Sequence, residues 1–372
     1  MSDFLRTAAM YQPGSMTMPA EFYLAPAIFA EEIERIGLRR WHCVGRSERI
    51  AKPGDFFLRN VAFEPLIIVR DRNGQARAHF NVCRHRGTQI CEKGSGHFSE
   101  TIQCPYHAWT YTIDGRLIGA PHMQDVAGFS KADHGLHQAQ IAEWDGFLFV
   151  NLDPAAPPFH EAFAPVLDRF ARFDLSRLKI ARWVSYQIES NWKLVFQNYC
   201  ECLHCPTIHP ELSCKLPYQS GANDLVEGPF LGGYMEITAG NESVTMSGRP
   251  AARTIADLSA EDRRRAYYYT LMPNLMLSIH PDYVNYYTVW PVSPERTVVE
   301  SEWLFHPDAF GDPGFNPDDA VAMWDVTNRQ DWHITEQSLA GIKSRRYRPG
   351  PYSSRESVPA AWDRAYLDLM GR

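Results

Sequence analysis

Cys83-Arg84-His85-Arg86-Gly87 and Cys104-Pro105-Tyr106-His107, with residues 86–103 lying between His85 and Cys104, are the segments on which the reading of this chain turns. Each pairs a cysteine with a histidine two or three positions further on. Two soft thiolates and two imidazoles suit either a tetrahedral zinc ion or a [2Fe–2S] cluster with mixed ligation. The pairing alone leaves both open. The surroundings bear on the choice: Gly87 follows the first pair, Pro105 and Tyr106 sit inside the second, and Trp109 and Tyr111 lie just beyond.

Around these pairs the chain is punctuated by turn signals. From Trp41 onward, short apolar runs end at Lys52-Pro53-Gly54-Asp55, Asn73-Gly74 and Asp114-Gly115. Asn-Gly and Asp-Gly tolerate positive φ and suit two-residue hairpin turns, so residues 41–153 are predicted to form a small antiparallel β domain ending on a strand at 147–152. The stretch 153–158, Asp-Pro-Ala-Ala-Pro-Pro, reads as a linker, because proline stiffens the chain and removes backbone donors. Residues 20–40 space Ile28, Phe29, Ile33 and Ile36 near helical period and read as one amphipathic helix. Three segments are therefore expected: a helical 1–40, the β domain 41–153 and a larger domain 154–372. In the last, 183–189 and 284–292 read as strands, 191–205 and 317–342 as helices, and 239–264 as a long loop or lid. A sheet packed with helices, an α+β arrangement, is the economical outcome.

Length and charge narrow the function. The 372 residues can bury a large core without disulfides. With 37 basic against 44 acidic residues the net charge is -7, and no basic stripe is present, so a nucleic-acid partner is not expected. Apolar runs such as 66–69 and 147–150 fall far short of the ~20 residues of a membrane helix. Residues 1–19 carry Arg6 but no apolar core and no small-residue cleavage site, so a cytoplasmic location is expected. In a reducing compartment the eight cysteines read as ligands or buried thiols rather than disulfides. That holds for Cys200, Cys202, Cys205 and Cys214, whose thiols a helix would scatter around its axis. His79, His97 and Cys91 read as packing or surface residues.

A second constellation runs from Asn191 to His209. Glu201 and His204 are three apart and would share a helix face, whereas His209 would point about 140° away on a continuous helix. Pro206 breaks or kinks that helix, which lets His209 swing back beside His204. Two histidines and a carboxylate with open positions form the facial triad of non-haem Fe(II) oxygenases. Composition alone does not separate Asp325, Asp331 and Glu336 as the carboxylate.

The segments CRHRG and CPYHAWTY resemble the Rieske cluster motif, and the stretch from Asn191-Trp192 through Glu201, His204 and His209 resembles the mononuclear iron site of Rieske non-haem iron oxygenases. The resemblance covers essentially the whole chain. It implies that Cys83 and Cys104 hold the inner iron of a [2Fe–2S] cluster and His85 and His107 the outer one. The gap 86–103 slightly exceeds the usual one, which places an insertion in the 97–102 turn. The resemblance also implies a catalytic domain of helix-grip type, a mononuclear Fe(II) on His204, His209 and Asp331, and a head-to-tail homotrimer. In such a trimer Glu201 bridges a neighbour's His107 to His204. Electrons from NAD(P)H would arrive through a ferredoxin or flavin reductase partner, with O2 as co-substrate.

The segment 277–351 is similar to the branch that N-demethylates quaternary ammonium compounds such as glycine betaine. Tyr283, Tyr286, Tyr287 and Trp290 are candidates for a cation–π cage, although alternating aromatics on a strand also serve a core. Leu203 and Cys200 depart from that branch: an apolar lining favours a neutral N-alkyl amide or aromatic substrate. Oxidative N-dealkylation is the expected reaction, with the charge on nitrogen open. Aromatic ring hydroxylation or cis-dihydroxylation is the competing enzyme reading, and a Rieske electron carrier the non-enzyme one.

Overall fold

The computed structural model describes residues 4–372. It divides into two compact units, Gly37–Ala162 and a second formed by residues up to Ile36 together with Phe163–Arg372.

The 37–162 unit is built on an antiparallel sheet in the order His42–Arg46, Phe147–Asn151, Gln138–Trp144, Ala76–Phe80, Glu64–Arg70, Asp55–Val61 and Ser95–His97. A smaller three-stranded sheet joins Thr101–Gln103, Thr110–Thr112 and Leu117–Gly119. Both glycine-containing turns are wider than the two-residue hairpins expected. At the first, the Asp71 carboxylate accepts from the backbone N–H of Asn73 at 2.8 Å and of Gln75 at 2.9 Å, which spreads the loop over five residues, 71–75. At the second, Thr112 N–H donates to Arg116 O across the turn that holds Gly115. The connection 98–100, between Ser95–His97 and Thr101–Gln103, lies within the turn expected to carry extra residues. The proline-rich stretch 153–158 falls inside this unit, near its end.

The other unit is α+β. Its eight strands are antiparallel in the order Leu5–Arg6, Ala222–Leu225, Phe230–Glu236, Arg265–Leu271, Leu275–Ile279, Val284–Ser293, Arg296–Phe305 and Lys179–Ile188. Along Arg265–Leu271, alternation sends Tyr267 and Tyr269 one way and Tyr268 the other. Tyr267 and Tyr269 pack on Phe173 and Phe170, from the segment that precedes the first long strand. Tyr268 turns to the opposite face, against Tyr199 and Trp324. That second face is covered by the helices Trp192–Tyr199, Asp318–Ile342 and Ser357–Leu369. Among the described residues no helix is long and apolar enough to cross a membrane.

Two helical expectations are corrected, and the long connection expected at 239–264 is found. Residues 20–40 do not form one helix: Pro26 forces Ala25 to an extended ψ of 119°, splitting it into Glu21–Leu24 and Pro26–Glu32, followed by a wider turn over Ile33–Gly37. The 191–205 helix stops at Tyr199. The 239–264 segment is a long connection, but it is tied down rather than free. Ser243 Oγ donates to Asp282 at 2.5 Å, Ala251 N–H to the same carboxylate at 2.7 Å, and Tyr283 OH to Val244 O at 2.6 Å.

A buried acid fixes the helices to one another. Glu32 accepts from Lys193 Nζ at 2.6 Å, Trp192 Nε1 at 2.9 Å and Tyr366 OH at 2.6 Å, joining three helices through one carboxylate. Both charged side chains are shielded, so removing one partner strands the other. Lys193→Met is expected to destabilise this unit by about 3–5 kcal/mol, read as a lower denaturant midpoint. An unchanged midpoint would show the pair to be dispensable.

Candidate metal centres

In the 37–162 unit the two Cys–His pairs occupy matching loops. Cys83–His85 follows the strand Ala76–Phe80, and Cys104–His107 joins Thr101–Gln103 to Thr110–Thr112. Each loop folds back on its cysteine: Gly87 N–H donates to Cys83 O at 3.0 Å, and Ala108 N–H to Cys104 O at 3.2 Å. Gly87 and Ala108 hold the same place, four residues after the cysteine, and both have positive φ, 76° and 55°. Glycine reaches that conformation without cost; at Ala108 the surrounding turn imposes it.

The two cysteines are buried, and the histidines lie further out. The imidazoles stand 4.7 Å apart between centroids, and His85 stacks on Trp109 at 4.8 Å. Tyr111 OH lies 3.4 Å from Cys83 Sγ and accepts from Arg84 N–H at 3.1 Å. Burial, then the charges of His107 and Arg86, push the His85 imidazole down. Its Nδ1 is buried without a hydrogen-bond partner among the described residues. A neutral imidazole with an unused buried nitrogen, beside two buried thiols, fits a cluster with thiolates on one iron and imidazoles on the other. His79 packs through its ring nitrogen on Ile113 O at 2.8 Å, and His97 sits at the surface 3.0 Å from Asp55.

In the other unit, prolines shape the second constellation. Asn191 caps the helix Trp192–Tyr199 by accepting from Lys193 N–H at 3.0 Å. After Tyr199 the chain turns. Glu201 stabilises that turn by accepting from the backbone N–H of Leu203 and, at 3.3 Å, of His204. Two single-turn helices follow, Cys205–Ile208 and Pro210–Ser213, each with proline in its first positions. A residue before proline is driven out of helical conformation, and His209 accordingly has φ -122° and ψ 72°. Glu201 and His204 therefore meet across a turn and not along a helix face.

The turn also alters the cysteines. Cys202 and Cys205 are bonded to one another, bracketing Leu203 and His204, against the expectation of free thiols. Once the helix stops at Tyr199, their sulfurs are no longer scattered around an axis, and the Cα atoms come to 4.9 Å. Cys200 and Cys214 remain thiols, and Cys214 is exposed.

The geometry brings His204, His209 and Asp331 together. His209 Nε2 lies 2.8 Å from Asp331 Oδ1, and His204 Nε2 lies 3.2 Å from both that oxygen and His209 Nε2. Each imidazole turns its Nδ1 outward, to Glu201 Oε1 at 2.5 Å for His204 and to Gln330 Oε1 at 2.6 Å for His209. The other two acids considered are engaged elsewhere. Asp325 accepts from Tyr186 OH at 2.8 Å and pairs with Arg329, while Glu336 accepts from Glu189 N–H at 3.1 Å. Cys205 Sγ also lies near, 3.9 Å from His204 Nε2, but is bonded to Cys202.

Charge at this centre is unbalanced toward the negative. Burial lowers the basicity of His204, but hydrogen bonds to Asp331 and Glu201, and their charges, outweigh it and raise the imidazole to about 10. His209 is raised in the same way by Asp331. Burial works against the ionised form of Asp331, yet the two imidazoles hold it below the usual carboxylate range. Two inward imidazole nitrogens and a carboxylate oxygen that together favour positive charge fit a divalent metal.

The aromatic candidates do not form one cage. Tyr286 and Trp290 alternate with Tyr287 along Val284–Ser293 and point to the other face of the sheet. Tyr287 turns to the helices, donating to Asn328 at 3.1 Å, and Tyr283 accepts from Trp324 Nε1 at 2.6 Å. Leu203 is 38% exposed, on a cleft it shares with Tyr199, Cys200, Glu201 and Tyr268. Tyr199, Tyr268 and Trp324 went unnoticed in the sequence, as did Gln330, whose only signal is its place beside Asp331.

Both halves of the chain match known families: residues 40–130 the Rieske [2Fe-2S] domain, and residues 175–372 the Ring hydroxylating alpha subunit (catalytic domain). Fold and sites together define an oxygenase of the Rieske non-haem iron class, an oxidoreductase whose cofactors are a [2Fe–2S] cluster and a mononuclear iron. The chain belongs to the ring-hydroxylating alpha subunit family. It is 31% identical to the glycine betaine monooxygenase oxygenase subunit of Chromohalobacter salexigens, over 91% of this chain and 82% of that one. Identity is 30% to the carnitine monooxygenase oxygenase subunit of Escherichia coli strain K12, over 89% of this chain and 86% of that one. The crystal structure of a quaternary ammonium Rieske monooxygenase in complex with L-carnitine superposes with a TM-score of 0.78 at 25% identity, covering 95% of this chain and 96% of that one. Rieske oxygenases take electrons from ferredoxin or reductase partners and form oligomers. A catalytic domain of this family sets aside the reading as a bare electron carrier.

Metal binding requires both imidazoles to be neutral, while their acidic neighbours raise their hold on protons, His204 to about 10 and His209 in the same direction. Raising the pH therefore removes the competing protons. Fe(II) affinity of the iron-depleted protein is expected to rise about tenfold per pH unit for each proton displaced, from about pH 6 to about pH 8. Anaerobic Fe(II) titration reads this directly, and a pH-independent affinity would contradict it.

Proposed function

We propose that this chain is the terminal oxygenase of a multicomponent Rieske system that oxidatively N-demethylates a small quaternary ammonium compound. Cys83, His85, Cys104 and His107 would hold the cluster, and His204, His209 and Asp331 the iron. The observation that carries the reading is the convergence of these last three side chains beside aromatic rings that meet between the sheet and its covering helices, Tyr268 and Tyr287 from the strands, Tyr283 from the turn before one, and Tyr199 and Trp324 from the helices. Aromatic faces attract a desolvated ammonium group. The relatives named for glycine betaine and carnitine support the same substrate class.

When bound, the cluster supplies single electrons, and the iron a site where O2 is reduced. The protein's own contribution is to fix the ligand atoms and aim the substrate. Gln330 and Glu201 hold the two imidazoles by their outer nitrogens, which sets both the tautomer and the ring orientation. In the overall reaction, O2, two electrons and two protons convert an N-methyl group to N-hydroxymethyl and water. The hydroxymethyl ammonium then releases formaldehyde and a proton, leaving the tertiary amine.

Glu201 has a second role in this reading. In a head-to-tail homotrimer its carboxylate would link His204 to His107 of a neighbouring copy and so carry electrons between subunits. Two features support this: Glu201 is bonded to His204 yet keeps part of its side chain exposed, and His107 stands beside Tyr106, which is 56% exposed.

With a ferredoxin–reductase pair and NAD(P)H, the purified protein is expected to release one formaldehyde per NAD(P)H from glycine betaine or carnitine. No formaldehyde from any quaternary ammonium compound, with a cluster that still reduces, would overturn the substrate class. Glu201→Gln should leave the cluster spectrum and its chemical reduction intact while slowing turnover about ten- to a hundred-fold. Equal rates for both proteins would remove Glu201 from the electron path.

A further inference from the structure

The sheet face turned to the iron-site helices carries polar groups that this chemistry leaves unused. Register places Tyr268 opposite Ser278, and Ser278 opposite Asn285. Residues two apart share a face, so His280 and Tyr287 join them. Contacts agree: Tyr199 OH lies 2.8 Å from Ser278 Oγ, Tyr287 OH donates to Asn328, and the His280 ring lies 5.3 Å from Trp324. Trp324 stands seven residues before Asp331 on the long helix, two turns away on the same side.

Two of these groups lack partners. His280 is 1% exposed, and neither of its ring nitrogens has a hydrogen-bond partner among the described residues. Tyr268, with its ring centroid 5.9 Å from that of His280, buries a hydroxyl that is equally unpartnered. Buried polar atoms without partners are rare in folded proteins, and a purely structural role would be filled better by phenylalanine at both positions. Tyr268 also lines the cleft of about 660 Å³, counted with its open mouth, that reaches Tyr199, Cys200, Glu201 and Leu203. Tyr268 thus joins that cleft to the His280 ring, which itself meets Trp324 on the helix bearing Asp331.

Charge sharpens the point. Burial pushes the His280 imidazole down to about 3, so the ring is neutral at physiological pH, with one N–H donor and one acceptor. Stacked on Tyr283 at 4.4 Å, it adds no positive charge to an aromatic face meant for a cation.

We propose that Tyr268 and His280 are specificity-determining residues: the Tyr268 hydroxyl and a His280 ring N–H together hold an oxygen acceptor on the substrate, carboxylate or hydroxyl, and thereby choose which N-methyl group meets the His204–His209–Asp331 centre. This rests on the N-demethylase reading. The anchor binds the non-reacting end of the substrate and takes no part in oxygen transfer.

The experiment compares Tyr268→Phe and His280→Phe with the wild-type holoenzyme, using glycine betaine, choline and tetramethylammonium as probes and formaldehyde as product. Tyr268→Phe removes one oxygen atom, and His280→Phe keeps the ring stacking, so either variant alone suffices if the other folds poorly. The ratio of kcat/KM for glycine betaine to that for tetramethylammonium is expected to fall about tenfold or more, chiefly through KM, with iron content and cluster spectrum unchanged. A fall for betaine but not choline identifies a carboxylate anchor; a fall for both identifies an anchor for either oxygen. An unchanged ratio in both variants, or equal loss on tetramethylammonium, overturns the anchor while leaving N-demethylation standing. Formaldehyde from none of the probes with the wild type overturns both.

Discussion

Three side-chain atoms, His204 Nε2, His209 Nε2 and Asp331 Oδ1, are held within 3.2 Å of one another where little water reaches them, and the larger unit is organised to keep them there. Left to themselves, such groups would each prefer hydration. The chain opposes this from two directions. Asp331 belongs to a 25-residue helix pinned to the sheet by Tyr186 to Asp325 and Tyr287 to Asn328, at the two ends of the turn that precedes it. His204 belongs to a turn whose Leu203 and His204 N–H groups are satisfied by Glu201, the same residue that orients its imidazole, and His209 is placed by the single-turn helix that follows, donating its N–H to Cys205 O. One carboxylate thus shapes the backbone and aims the imidazole, so its loss acts on geometry as well as on charge.

The two Cys–His loops solve a related problem differently. There the thiols are buried and the imidazoles outermost, and the two loops repeat the same backbone closure four residues after each cysteine. The first loop uses glycine at the left-handed position; the second places alanine there. Aromatic packing, with Trp109 stacked on His85 and Tyr111 against Cys83, supplies the rigidity that the short strands of this region lack.

Much of this was legible in the residues. The long helix follows from periodicity, as do the strands expected at 183–189 and 284–292, although the first begins four residues earlier, at Lys179, and the Cys–His pairs stand out because those residues at those intervals have few other uses. What was not legible depended on contacts distant in sequence. Asp325 and Glu336 are excluded only because Tyr186 and the Glu189 backbone claim them. Gln330 gives no signal until its side chain meets His209. The early end of the 192–199 helix was missed because 200–205 has no glycine or proline before Pro206; the competing force is the Glu201 side chain bonding to its own backbone. The same misreading hid the Cys202–Cys205 bond, and reading four aromatics as one cage ignored the alternation that sends Tyr286 and Trp290 away from Tyr287.

The proline-punctuated run from Cys205 to Ser213 has an evolutionary consequence. Because each histidine sits at the edge of a separate single-turn segment, the interval between the two is set by covalent geometry and local turns, not by the register of a long helix. The end of the helix Trp192–Tyr199 and its cap can then exchange residues facing the cleft, here Tyr199 and Cys200, without stretching the interval between His204 and His209. Such an arrangement separates the part of the fold that must stay constant from the part that lines the cleft, and lets one scaffold be retuned by small local substitutions.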